Sequence, residues 1–143
     1  MINYKIIDHT ADIAVEFYGK SIEDLFESAA SSLSHIVYQQ NKPETTQEIQ
    51  SLAFQFDNND PAINFIDYLR EILFLINQEH YYFTDCNITD FGNNILNITC
   101  DYIKINAIMI VNEIKAVTYH DCSITQKVIE GKELYVAKVT FDI

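Results

Sequence analysis

Ile13, Val15 and Phe17 alternate with Ala14, Glu16 and Tyr18, a period of two that predicts a half-buried strand closed by Gly19. The period then changes. Ile22, Leu25, Phe26, Ala29, Leu33, Ile36 and Val37 recur at helical spacing behind Ser21, a capping residue, with Glu23 and Asp24 in the first turn. Alternation returns at Leu52, Phe54 and Phe56. Asp60-Pro61 then starts a second helix, proline standing where its missing N–H costs nothing, and Ile66, Leu69, Leu73 and Ile76 mark its apolar face to about Asn77. Between these elements, Gln39 to Gln47 form a polar loop containing Pro43.

Beyond residue 80 the pattern is β-like. Segments near 81–90, 94–101 and 113–126 are rich in Ile, Thr and Tyr, and a last strand over about 133–142 pairs back across Glu130-Gly131-Lys132 as a hairpin. Helices do not alternate one-for-one with strands, which disfavours a doubly wound parallel sheet. The expected fold is α+β: a mainly antiparallel sheet with two helices packed against it, in a single domain over residues 1–143.

Charge sharpens the picture. The formal net charge is −12. Residues 1–103 hold 16 acids and 4 bases, while residues 104–143 hold 5 of each, so the excess lies in the first two-thirds of the chain. This balance argues against direct nucleic-acid binding and against a polybasic membrane patch, and suits a hard cation or a basic protein partner. Gly19, Gly92 and Gly131 are too far apart for a dinucleotide fingerprint or a phosphate-cradling loop. Ala107-Ile108-Met109-Ile110-Val111 is too short to span a bilayer, and the first residues lack a signal-peptide pattern. Cys86, Cys100 and Cys122 form no CxxC pair, so reduced thiols in a cytosolic protein are expected.

Three stretches could carry chemistry. Asp8-His9-Thr10-Ala11-Asp12 puts two carboxylates and an imidazole within five residues, at the junction of the first two strands. By itself it is also an ordinary turn whose aspartates bond their own backbone. At the other end, Asp142 precedes Ile143, where an α-carboxylate would lie beside the Asp142 side chain. Two such anions repel unless a cation or a basic side chain sits between them. Lys115 lies among apolar residues on a strand expected to carry Val117 and Tyr119 on the same face and His120 opposite; an edge-strand charge is the common explanation for such a lysine. His35, beside a helical stripe, and His80, heading a strand, are expected to be structural or solvated.

Taken together, Asp8-His9-Thr10-Ala11-Asp12, then Gly19, Ser21-Ile22-Glu23-Asp24-Leu25-Phe26 and Ala29-Ala30, resemble the archease family. Lys115-Ala116-Val117-Thr118-Tyr119-His120 resembles its second hallmark, and Val139-Thr140-Phe141-Asp142-Ile143 its third. The resemblance implies a cytoplasmic accessory protein of the RtcB-type RNA ligase of tRNA splicing and RNA repair, one that assists guanylylation and multiple turnover without being a ligase. It implies a divalent cation, Ca²⁺ first with Mg²⁺ or Mn²⁺ as alternatives, held by Asp12, Asp142 and the Ile143 carboxylate. Lys115 stands at a position tied to activation of the partner, and His9 and His120 match motif positions. One departure is visible: Ile105 to Asn112 lacks the His or Arg that many members carry just before the second hallmark. Two other function classes stay open, a metal-dependent hydrolase using Asp12, Asp142, His9 and His120, and a generic binding or chaperone-like module.

Overall fold

Seven strands and two helices follow one another as Tyr4–His9 (β1), Asp12–Gly19 (β2), Ile22–Tyr38 (α1), Gln50–Asp57 (β3), Pro61–Glu79 (α2), Tyr81–Gly92 (β4), Ile95–Lys104 (β5), Ala116–Ile129 (β6) and Lys132–Asp142 (β7). The computed structural model describes residues 3–9, 12–40, 47–57, 60–92, 94–106 and 109–143, the side chains of Asp8 and His9 excepted. Most of the polar loop expected over Gln39 to Gln47 lies outside the described residues, as do Thr10 and Ala11.

The α+β expectation holds, and the strands divide into two sheets: β1-β2-β7-β6 and β3-β5-β4. All pairings are antiparallel. Helix α1 packs against both β2 and β4 and so lies between the sheets, while α2 packs chiefly on β6. Their apolar stripes meet in one core, where Phe65 of α2 contacts Phe17 of β2 and Phe26 of α1 edge-to-face, with ring centroids 5.6 and 5.1 Å apart.

Local chemistry explains the element boundaries. Ser21 accepts the Asp24 N–H at 3.0 Å, and Asp60 accepts those of Ala62 and Ile63 at 2.8 and 3.3 Å, so both expected caps form. Gly19 is needed because the start of α1 crosses it: a Cβ there would meet the Leu25 nitrogen at 2.6 Å. Glu130 and Gly131 both take positive φ, 50° and 77°, which is the backbone of a type I′ hairpin turn and matches the twist of β6 and β7. One face of α1 carries the buried Ser28, Ser31, Ser32 and Ser34. These small side chains let β4 approach, and Ser34 Oγ accepts the Phe83 N–H at 2.9 Å.

Two boundaries differ from expectation. Helix α2 runs to Glu79, and His80 is its C-cap at φ 59°, its N–H bonded to the Ile76 carbonyl, rather than the head of the next strand. The strand expected over 113–126 starts at Ala116. Before it, Ile114 is turned into the core and the Asn77 amide donates to its carbonyl at 3.0 Å. Lys115 therefore precedes the strand, exposed, instead of sharing a strand face with Val117.

Candidate functional site

The β2–β7 register sets Asp12 directly opposite Asp142. The β6–β7 register sets Ala116 opposite Asp142 from the other side, and the Lys115 N–H donates to the Asp142 carbonyl at 2.8 Å. Three stretches far apart in sequence thus end in one corner of the four-stranded sheet. It can form because β7 lies between β2 and β6, so its last residues touch the start of both. Asp12, Lys115 and Asp142 are all exposed there, while the Ile143 side chain packs against the core and anchors the end of β7.

Directly opposed residues of an antiparallel pair hold their Cβ atoms roughly 4.5–5.5 Å apart, and like charges so placed destabilise the sheet. In a water-like dielectric the repulsion between two carboxylates at such range is about 1 kcal/mol. The corner offers hard oxygen donors and an open solvent side. Among the described residues no three His, Cys, Asp or Glu side chains gather at metal-holding distance, so two side-chain carboxylates are the described donors here.

The histidines are placed differently. His9 stands at the end of β1 opposite Ile13, one residue from Asp12 in the register, and its side chain lies outside the described residues. His120 sits in an irregularity of β6 between Thr118 and Ser123, where Asp121 takes a φ of 53°. Its Nε2 lies 3.1 Å from Asp121 Oδ2, and the two side chains are 78% and 68% exposed. His120 lies in the part of β6 between the levels of Thr140 and Lys138, two to four residues along β7 from Asp142, and has no direct cross-strand partner there. Asp12, Asp142 and Lys115 are brought together; His120 is not among them.

Sequence reasoning missed the neighbour on α2. Tyr119 donates its hydroxyl proton to Asp67 and accepts from Arg70 at 2.9 Å, while the guanidinium carbon lies 5.4 Å from the Tyr119 ring centroid. From Arg70 and the 60%-exposed Phe74, a groove of about 270 Å³ runs to Lys115 and Ala116, joining α2 to the corner. Arg70 is the lone arginine of the chain, and Phe74 stands off the apolar stripe of its helix; those were the available signals.

Residues 4–143 match the model of the archease protein family (MTH1598/TM1083). The chain belongs to the archease family. The archease of Methanosarcina barkeri is 30% identical over 148 residues, covering 98% of this chain and 95% of that protein. The archease of Archaeoglobus fulgidus is 29% identical over 144 residues, covering 99% and 100%. Among solved structures, protein 1598 of Methanobacterium thermoautotrophicum superposes over 100% of both chains with a TM-score of 0.75 at 26% identity. An archease from Thermotoga maritima, there called a possible chaperone, shares the fold with a TM-score of 0.59 at 23% identity, over 97% of this chain and 96% of that one. No helix of the described residues is long and apolar enough to cross a membrane.

Proposed function

We propose that this archease is a metal-binding accessory protein that activates an RtcB-type RNA ligase, promoting its guanylylation and multiple turnover in cytoplasmic tRNA splicing and RNA repair. One observation carries the reading: Asp12 and Asp142 are direct cross-strand partners, with Lys115 bonded to the Asp142 backbone. Those three residues come from the three stretches whose pattern resembles the family hallmarks.

The donor set fits a hard divalent ion. Asp12 and Asp142 supply only oxygen, which Ca²⁺ prefers and which Mg²⁺ or Mn²⁺ also accept, and a carboxylate at Ile143, the third ligand the resemblance implies, would do the same. Such an ion would supply positive charge where two like charges otherwise face each other. Asp12 and Asp142 would hold it from the two strands, and the exposed Lys115 ammonium beside them would face the partner.

The decisive experiment is guanylylation of the ligase with and without the protein, alongside phosphoester turnover by the protein alone. Stimulation that disappears in Asp12→Ala and in Lys115→Ala, with no turnover by the isolated chain, supports the activator. Turnover by the chain alone selects a hydrolase instead. Stimulation of unrelated enzymes, insensitive to Asp12→Ala, selects a chaperone-like module. Extending the chain beyond Ile143 should weaken Ca²⁺ binding if that carboxylate is a ligand.

A further inference from the structure

The outward side of the four-stranded sheet is charged in two opposite senses. From the Asp12–Asp142 end its cross-strand pairs run through Ala14–Thr140 and Glu16–Lys138 to Tyr18–Val136. Around Glu16 the charge reverses. Lys5 stands opposite it on β1, Lys138 opposite it on β7, and Lys127 reaches its carboxylate from β6 at 3.2 Å. The Glu16 Oε1 also accepts the Tyr18 hydroxyl at 3.0 Å. A single carboxylate is therefore set among three ammonium groups.

Past Tyr18 the face dips into a concavity of about 570 Å³. Tyr18, Ile129 and Leu134 form its apolar lining, and Lys5, Lys20 and Lys132 stand around it. Asp24 is the acidic residue on its rim, and one of its oxygens already accepts the Lys20 N–H at 2.9 Å. Five of the nine basic residues of a chain with net charge −12 thus share one face.

Edge protection does not account for this. Lysines on β1 and β6 would blunt the sheet's two edges, but Lys138 and Lys132 belong to β7, which is an inner strand. Lysines placed on an inner strand and around an apolar hollow, with Asp24 the acid that lines it, complement an incoming anion.

We infer that this face docks an acidic peptide segment of a partner protein, with an apolar side chain anchored in the Tyr18–Ile129–Leu134 hollow and its carboxylates on the lysines. The hollow decides between a peptide and a nucleic acid. A single strand binds on exposed aromatic faces that stack its bases, whereas here two of the three lining side chains are aliphatic and the Tyr18 hydroxyl is held by Glu16. Tyr18 stands six positions beyond Asp12 along β2, a span of about 20 Å, so the hollow is separate from the proposed cation corner.

The test is fluorescence anisotropy of the intact chain with a labelled peptide of alternating Glu, Leu and Phe, its counterpart with Lys for Glu, and a single-stranded RNA of similar length. The acidic peptide should bind, with affinity falling as salt rises, and Lys138→Glu or Lys132→Glu should weaken it roughly tenfold each. Lys104→Glu changes net charge equally on the other sheet and should have a much smaller effect, and Leu134→Ser should weaken binding without changing its salt slope. No binding of the acidic peptide, equal binding of the basic one, or an equal effect of Lys104→Glu overturns the inference. So does tighter binding of the RNA, or self-association in sedimentation that Lys138→Glu abolishes.

Discussion

On the three-stranded sheet, Cys86 of β4 and Cys100 of β5 stand directly opposite each other, both buried, under Tyr68 of α2. On the four-stranded sheet, Asp12 of β2 and Asp142 of β7 stand directly opposite each other, both exposed. The two pairs share the same cross-strand geometry and have opposite chemical fates. The hydrogen bond shared with Cys100, and then burial, push the Cys86 thiol far up, and burial holds the Tyr68 phenol well above its ordinary range. The Cys86 thiol and the Tyr68 phenol thus stay protonated at neutrality, and the cluster serves packing. The aspartates remain in water, where repulsion is tolerable and an ion can reach them. Three β3–β5–β4 strands bury side chains against α1 and α2; four strands with one wet face carry the exposed aspartate pair.

Four measurements would break or sharpen that contrast. The largest effect is expected where α2 joins the two layers: Phe65→Ala should cost about 3–5 kcal/mol of unfolding free energy, seen as a lower midpoint in urea with the slope preserved. An unchanged midpoint would mean that the layers are not coupled through this ring. Next, Asp142→Asn should lower Ca²⁺ affinity roughly a hundredfold in calorimetry, because charged ligands set affinity for hard cations. The same change should leave the metal-free protein as stable or slightly more so, since it relieves a like-charge pair. A variant that loses stability and keeps Ca²⁺ affinity would make Asp142 a scaffold residue. Third, Asp60→Ala should cost about 1 kcal/mol through the lost α2 cap and leave ligase stimulation intact.

The smallest effect concerns pH. Tyr18 is pushed up to about 12, first by desolvation and then by its hydrogen bond to Glu16 and that carboxylate's charge. A raised phenol pKa favours the neutral ring in the fold, so its contribution is present below pH 10 and is lost as pH rises towards about 12. Tyr18→Phe should therefore flatten part of the fall in melting temperature over that window. Identical profiles would remove the Tyr18–Glu16 contact from the outer face.

Much of this contrast was legible in the linear pattern. Period-3.6 stripes located both helices, Ser21 and Asp60 marked their starts, and Glu130-Gly131 marked the hairpin, because each rests on local chemistry. The division into two sheets was not legible, since alternation says which residues are buried and not which strand is the neighbour. His80 looked like a strand residue because an αL cap leaves no periodic signature. Lys115 looked like a strand residue because Ile114 and Val117 are both apolar, and the sequence does not show that the strand begins only at Ala116, with the Ile114 carbonyl bonded to Asn77 instead. Asp12 and Asp142 could be named from their stretches, but their meeting depends on β7 lying next to β2. The lysine face was hidden by the same cause: Lys5, Lys127 and Lys138 are scattered in sequence and converge on Glu16 only through register.

The central position of β7 has a consequence for synthesis. As the chain leaves the ribosome, β2 and β6 are both made before the strand that joins them, so each waits with a bare edge of unpaired N–H and C=O groups. Sheet closure is then a late event spanning most of the chain, of the kind that folds slowly and is exposed to mispairing. The corner that holds Asp12 and Asp142 comes into being only when β7 docks, so a nascent or half-folded molecule lacks it.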